Sequence, residues 1–154
     1  MEVLKETFED ELGKKTTYYD DDLIDVVLLR EITPKDPTPA IGFLVLEARP
    51  EVYEIGQHYP SDWKMPLQIQ LIVKHGSQEE GLELIRKLVR RIFLCLFRDT
   101  TSTAILITDT MGTLTEQCVR YNLVSRNYAS TVVTGGFVFA ATLDMEFFVT
   151  TKIA

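Results

Sequence analysis

The stretch S77-QEEGLELIRKLVRRIFLCLF-R98 decides how the chain is read. Ser77 followed three residues later by Glu80 forms an S-x-x-E capping box. Glu79, Glu80 and Glu83 sit where the positive end of a helix dipole favours carboxylates. Arg86, Lys87, Arg90, Arg91 and Arg98 fall in the later turns, where cations are favoured. At about 100° per residue, Leu82, Ile85, Leu88, Val89, Ile92, Phe93 and Leu96 share one face, with Arg86, Lys87, Arg90 and Arg91 opposite. The spacing predicts a one-sided helix over about 77–98, with an apolar side wide enough to cover a sheet.

Outward from this helix, β patterns dominate. On its N-terminal side PLQIQLIVK (66–74) alternates Leu67, Ile69, Leu71 and Val73 against Gln68, Gln70 and Lys74, the pattern of a half-buried strand. AIGFLVLEAR (40–49) predicts a central strand and LIDVVLLREI (23–32) a further one, joined by the stiff, proline-rich TPKDPTP (33–39). Residues 2–13, with Val3, Leu4, Phe8 and Leu12 at helical spacing and Gly13 as a stop, predict a short N-terminal helix. Residues 50–65 read as a long irregular loop carrying Tyr53, His58, Tyr59 and Trp63. Loops of this length in compact domains are usually functional or mobile.

Beyond the helix, 99–103 reads as a loop, 104–110 as a strand and 111–113 as a turn-like break. LTEQCVRYNLVSRNYA (114–129) favours a strand over a helix through its β-branched and aromatic content. TVVTGGFVFAATLDMEFFV (131–149) reads as a strand broken at Gly135-Gly136, as a bulge or a hairpin turn. In it Phe137, Phe139, Ala141, Leu143, Met145 and Phe147 point one way. The expected fold is therefore α+β: a mostly antiparallel sheet covered on one face by the long amphipathic helix and the short N-terminal one, in a single domain over 1–154.

Composition narrows the function classes. The 16 basic and 23 acidic residues give a formal charge of −7, which speaks against general nucleic-acid binding. Cys95 and Cys118 are too few and too far apart for a disulfide framework or a zinc site. His58 and His75 lie in loops without convergent ligands and read as surface residues. The acidic run YYDDD (18–22) lacks the spacing of a calcium loop and reads as a solvated turn. No nucleophile elbow, phosphate loop or dinucleotide fingerprint is present, so the reading carries no enzyme activity, cofactor or metal. The N-terminus has no basic n-region or long apolar core, and no 18-residue apolar run suggests a membrane span.

What remains are association features. The basic helix face is either solvated, with Glu83 pairing at i,i+3 and i,i+4, or docks on the acidic surface of a neighbouring copy of this same chain. Tyr53, Tyr59 and Trp63 suit an interface, where aromatics are enriched.

The order of these segments is similar to that of the tail-terminator (tail-completion) proteins of long-tailed bacteriophages. The features that carry the likeness are the short N-terminal helix and first strand, the PTPAIGF connector and the strand PLQIQLIVK. A polar turn, the helix EEGLELIRKLVRRIF and late strands complete it, so that the likeness covers about 1–149. The resemblance implies a non-enzymatic structural virion protein, a homohexameric ring capping the tail tube at the tail–neck junction and made in the host cytoplasm. Its partners would be other copies of itself, the tail tube protein and a head–neck connector protein, with DNA only passing through the lumen and no membrane. Interface residues expected for that role are Tyr53, His58, Tyr59, Trp63, Arg86, Arg90, Arg91 and Met111. Other readings are another head–tail connector or neck subunit and a small-molecule-binding module.

Overall fold

A computed structural model describes residues 26–47, 49–50, 62–97, 108–111 and 114–153, together with Lys5, Glu6 and Glu9. The elements in chain order are β1 (Val26–Leu28), β2 (Ala40–Val45), β3 (Arg49–Pro50), β4 (Asp62–His75), α1 (Gln78–Phe97), β5 (Thr108–Met111), β6 (Leu114–Val133) and β7 (Gly136–Ile153). The strands form one seven-stranded sheet in the order β1-β2-β4-β7-β6-β5, with β3 also pairing with β4. Only β1 and β2 run parallel; every other pairing is antiparallel. Among the described residues the architecture is α+β, a mixed sheet with one long helix. The expected short N-terminal helix lies outside the described residues apart from Lys5, Glu6 and Glu9; Lys5 and Glu9 form an i,i+4 ion pair at 3.1 Å.

The core is the layer between α1 and one face of the sheet. Leu67, Ile69, Leu71 and Val73 of β4 are at most 2% exposed, as the alternation predicts. They meet Ile85, Leu88, Val89, Ile92 and Leu96 of α1, and Phe139, Ala141, Leu143, Met145 and Phe147 of β7. Two central strands and one helix thus bury each other's apolar stripe. The approach is closest at Gly81: a Cβ there would lie 2.3 Å from Cε2 of the buried Phe139, so this turn of the helix has no room for a side chain.

Both ends of α1 differ from expectation in how their backbone groups are satisfied. At the start, the Glu80 N–H donates to Ser77 Oγ at 3.4 Å and the Gly81 N–H to the Ser77 carbonyl at 3.0 Å, so the forward half of the capping box forms. The Ser77 N–H donates instead to His75 Nδ1 at 3.0 Å, while His75 Nε2 stands 3.5 Å from the Glu80 carboxylate. His75 is therefore half-buried at the end of β4 and serves as a cap residue, not as a surface loop histidine. At the other end the last turn holds no basic residue. The Leu96 carbonyl accepts from the Tyr121 hydroxyl, which ties β6 to a helix terminus whose carbonyls have no intrahelical partner.

Several strand boundaries also move. The first strand is only Val26–Leu28. Arg30 then grips Asp36 through two hydrogen bonds of 2.6 and 2.8 Å, and the Thr33 N–H donates to the same carboxylate at 2.7 Å. This clasp turns the chain before it can extend to residue 32. The Arg30 guanidinium and the Thr33 amide hold the Asp36 carboxyl well below the usual carboxylate range.

β2 ends at Val45, and pairing resumes at Arg49–Pro50, beside a β4 that begins at Asp62 rather than at residue 66. Pro66 is tolerated inside β4 because its carbonyl accepts from Leu46 N–H (3.0 Å). Its nitrogen faces that same side, where the ladder is interrupted between Val45 and Arg49.

The ambiguous segment at 114–129 is wholly strand and continues to Val133. The break at Gly135-Gly136 is a hairpin: Thr134 and Gly135 form the turn between the paired Val133 and Gly136, and Gly135 has φ +87°, a backbone region that glycine enters without a steric cost.

Candidate functional site

The helix leaves two surfaces turned outward. Along its outer side Glu79, Leu82, Glu83, Arg86, Lys87 and Arg90 line a shallow trough, acidic toward the N-terminus and basic toward the C-terminus. Arg86 and Arg90 are exposed, and neither has an ion-pair partner among the described residues. Arg91 does not join them. It is 7% exposed, although the helical period sets it among the outer cations, so Arg91 belongs to the packed side of the helix.

Beside the helix, the hairpin of β6 and β7 presents a second surface. Arg126 sets its guanidinium 5.8 Å from the ring centres of both Phe93 and Tyr128, a cation–π arrangement linking helix to hairpin. On the same hairpin Leu123, Val124, Tyr128, Val132 and Val133 are exposed apolar or aromatic side chains, Val132 at 75%, and Leu94 is exposed on the helix.

The opposite face of the sheet is polar. Gln70 Nε2 donates to Gln68 Oε1 at 3.0 Å, Gln68 Nε2 to Asp144 Oδ1 at 3.0 Å and Ser125 Oγ to Asp144 Oδ2 at 2.6 Å. Lys64 pairs with Glu146 at 2.9 Å. Both oxygens of Asp144 are occupied by neutral donors, so this chain of bonds ties β4, β7 and β6 together. The alternation of Gln68 and Gln70 with the buried leucines and isoleucines signals that polar face in the sequence; the partnership with Asp144 and Ser125 needs the register.

Of the other expected interface residues, Tyr53, His58 and Tyr59 lie outside the described residues. Trp63 is not in a loop: it is half-buried in β4, opposite Pro50 and Val149. Met111 closes β5 opposite Leu114. The structure therefore brings Arg86 and Arg90 together and separates them from Arg91 and Trp63. Sequence reasoning misses the exposed row on β6 as a site, although its one signal is readable: from Gln117 to Leu143 the chain carries no acidic residue.

Among the described residues no three His, Cys, Asp or Glu side chains converge as metal ligands, and no helix is long and apolar enough to cross a membrane. No family model matches the chain, and no curated protein does.

Proposed function

We propose that the protein is a structural subunit of a bacteriophage tail, a terminator that assembles into a ring on the tail tube and offers the docking surface for the head or neck. The observation that carries this reading is the outer face of α1. Arg86 and Arg90 stand exposed without an ion-pair partner among the described residues, on a chain of net charge −7. The surface most complementary to an isolated basic face is an acidic one, and another copy of this chain supplies it. A rigid helix-on-sheet body with such a face suits a head-to-tail contact that repeats around a ring. In this role the partners are further copies of the chain, a hexamer by the likeness in segment order, with the tail tube protein and a head–neck connector protein. The site of action is the virion's tail–neck junction, and the function runs through association without catalysis.

The test is Arg86→Glu/Arg90→Glu. The double variant is expected to keep the wild-type circular dichroism and unfolding midpoint but to lose ring formation on purified tail tubes. Rings forming at wild-type protein concentration would remove the basic face from the interface. Binding to the connector without binding to tubes would make the chain a neck subunit instead.

A further inference from the structure

We propose that the outer edge of β6, residues 127–133, pairs antiparallel with the same edge of a second copy about a two-fold axis at Ser130, giving a dimer of the free subunit. Among the described residues β6 has β7 along one side, but on its other side only β5, which reaches from Leu114 to Gln117. Every residue from Arg126 to Gly135 is exposed. A strand edge of this kind presents a row of unpaired N–H and C=O groups, and natural sheets blunt such edges with charge, proline or bulges. The first half of β6 follows that rule, with register shifts between Cys118 and Arg120 and between Leu123 and Ser125. The second half does not: Arg126–Val133, RNYASTVV, holds one charge, no proline and no bulge. Its Tyr, Thr and Val residues favour strand pairing.

The occupant follows from charge and register. Most of this acidic chain repels a second copy, but the acid-free stretch from Gln117 to Leu143 does not. A continuous sheet must pair side chains of one face with side chains of the same face. Tyr128, Ser130 and Val132 are opposite Ala141, Phe139 and Phe137, which places them on the helix side. Centring the axis on Ser130 sets Tyr128 against the partner's Val132 twice, an aromatic to β-branched pair of the kind that stabilises antiparallel strands. Arg126 then lies just outside the paired residues, beside the partner's Thr134, so no like charges meet. The most exposed apolar side chain of the hairpin, Val132, is covered.

Seven paired residues at about 3.4 Å each make a contact roughly 24 Å long, at the small end of specific interfaces. The dimer is accordingly expected to depend on concentration. A two-fold contact is self-complementary and closes on itself, so it is distinct from the head-to-tail contact of a ring and stands or falls separately.

Sedimentation equilibrium of the full chain tests the inference. The wild type should pass from monomer to dimer as concentration rises. Tyr128→Lys/Val132→Lys places like charges opposite each other twice and should weaken the dimer by about tenfold or more, while the chain still unfolds cooperatively, at a midpoint lowered only by loss of the Arg126–Tyr128 contact. Tyr128→Lys/Val132→Glu creates two opposite-charge pairs in this register alone and should restore it. On oxidation, Ser130→Cys should give a disulfide joining the two copies at this position, seen by peptide mass spectrometry, whereas Asn127→Cys, which faces the partner's Val133, should not. A chain that stays monomeric throughout, a dimer indifferent to the Lys/Lys variant, or failure of the Lys/Glu variant to recover would each overturn the proposal.

Discussion

Ile92 lies at the centre of the helix–sheet layer with none of its surface exposed, so it measures how strongly α1 is held. A graded series removes its contacts step by step. Ile92→Val deletes one methyl and should cost about 0.5–1.5 kcal/mol; Ile92→Ala leaves a cavity and should cost about 2–5 kcal/mol. With a urea slope of about 2 kcal/mol per molar, these losses correspond to falls in midpoint of about 0.25–0.75 M and about 1–2.5 M. Ile92→Asp adds a carboxyl that has to be kept neutral in the core. Moving its titration from about 3.9 to above 7 costs roughly 4 kcal/mol beyond the lost packing. The total, about 6–9 kcal/mol, rivals the whole stability of a typical domain at about 5–15 kcal/mol. This variant should not fold. Urea titrations followed by far-ultraviolet circular dichroism check all three. An alanine variant within about 0.2 M of the wild-type midpoint, or cooperative unfolding of the aspartate variant, would refute the burial of this face.

Other positions carry equally definite expectations. Gly81→Ala would gain up to about 1 kcal/mol on a free helix, but here the new Cβ meets the Phe139 ring at 2.3 Å. Overpacking of about 1–3 kcal/mol should outweigh that gain and lower the thermal midpoint, and Phe139→Leu in the same chain should recover it; a Gly81→Ala chain more stable than wild type would contradict the close contact. The Arg30–Asp36 clasp should respond to acid in one direction only. Because Asp36 titrates below its ordinary value in the folded chain, its contribution is complete above the unfolded aspartate range near about 3.9 and is lost as pH falls through the lowered folded value. The protection of the Thr33 amide relative to its intrinsic exchange rate should fall only in that acidic window, and Asp36→Asn should show the reduced protection already at neutral pH. His75→Ala removes the acceptor of the Ser77 N–H, so exchange at Ser77 should accelerate while Ile92, at the helix centre, stays protected.

The parts of this fold legible in the sequence are those where burial on the two sides differs sharply. The helix over about 77–98 is found at Gln78–Phe97, and the alternation of Leu67, Ile69, Leu71 and Val73 gives their burial directly. Phe139, Ala141, Leu143, Met145 and Phe147 follow suit on β7. Where that contrast fades, local pattern runs out. β6 shifts register twice, at Cys118/Arg120 and Leu123/Ser125, so no single period-two frame spans it, and its distal half is exposed on both faces. Pro66 hides the start of β4, since its tolerance depends on a gap in the neighbouring ladder that no local motif announces. The helical period groups Arg91 with the exposed cations, whereas the fold buries it, so its burial comes from tertiary packing that the period does not carry. The candidate site is less legible than the fold, because an association surface is defined by what the body leaves uncovered. Arg86 and Arg90 are readable from the helix alone; the β6 row requires knowing which strand ends the sheet.

The proposed ring is tested most directly by electron microscopy of purified tail tubes incubated with this chain. One ring of density should be seated on one end of each tube, present with the wild type and absent with Arg86→Glu/Arg90→Glu. Tubes that keep bare ends at saturating concentrations of the folded wild-type protein would contradict it.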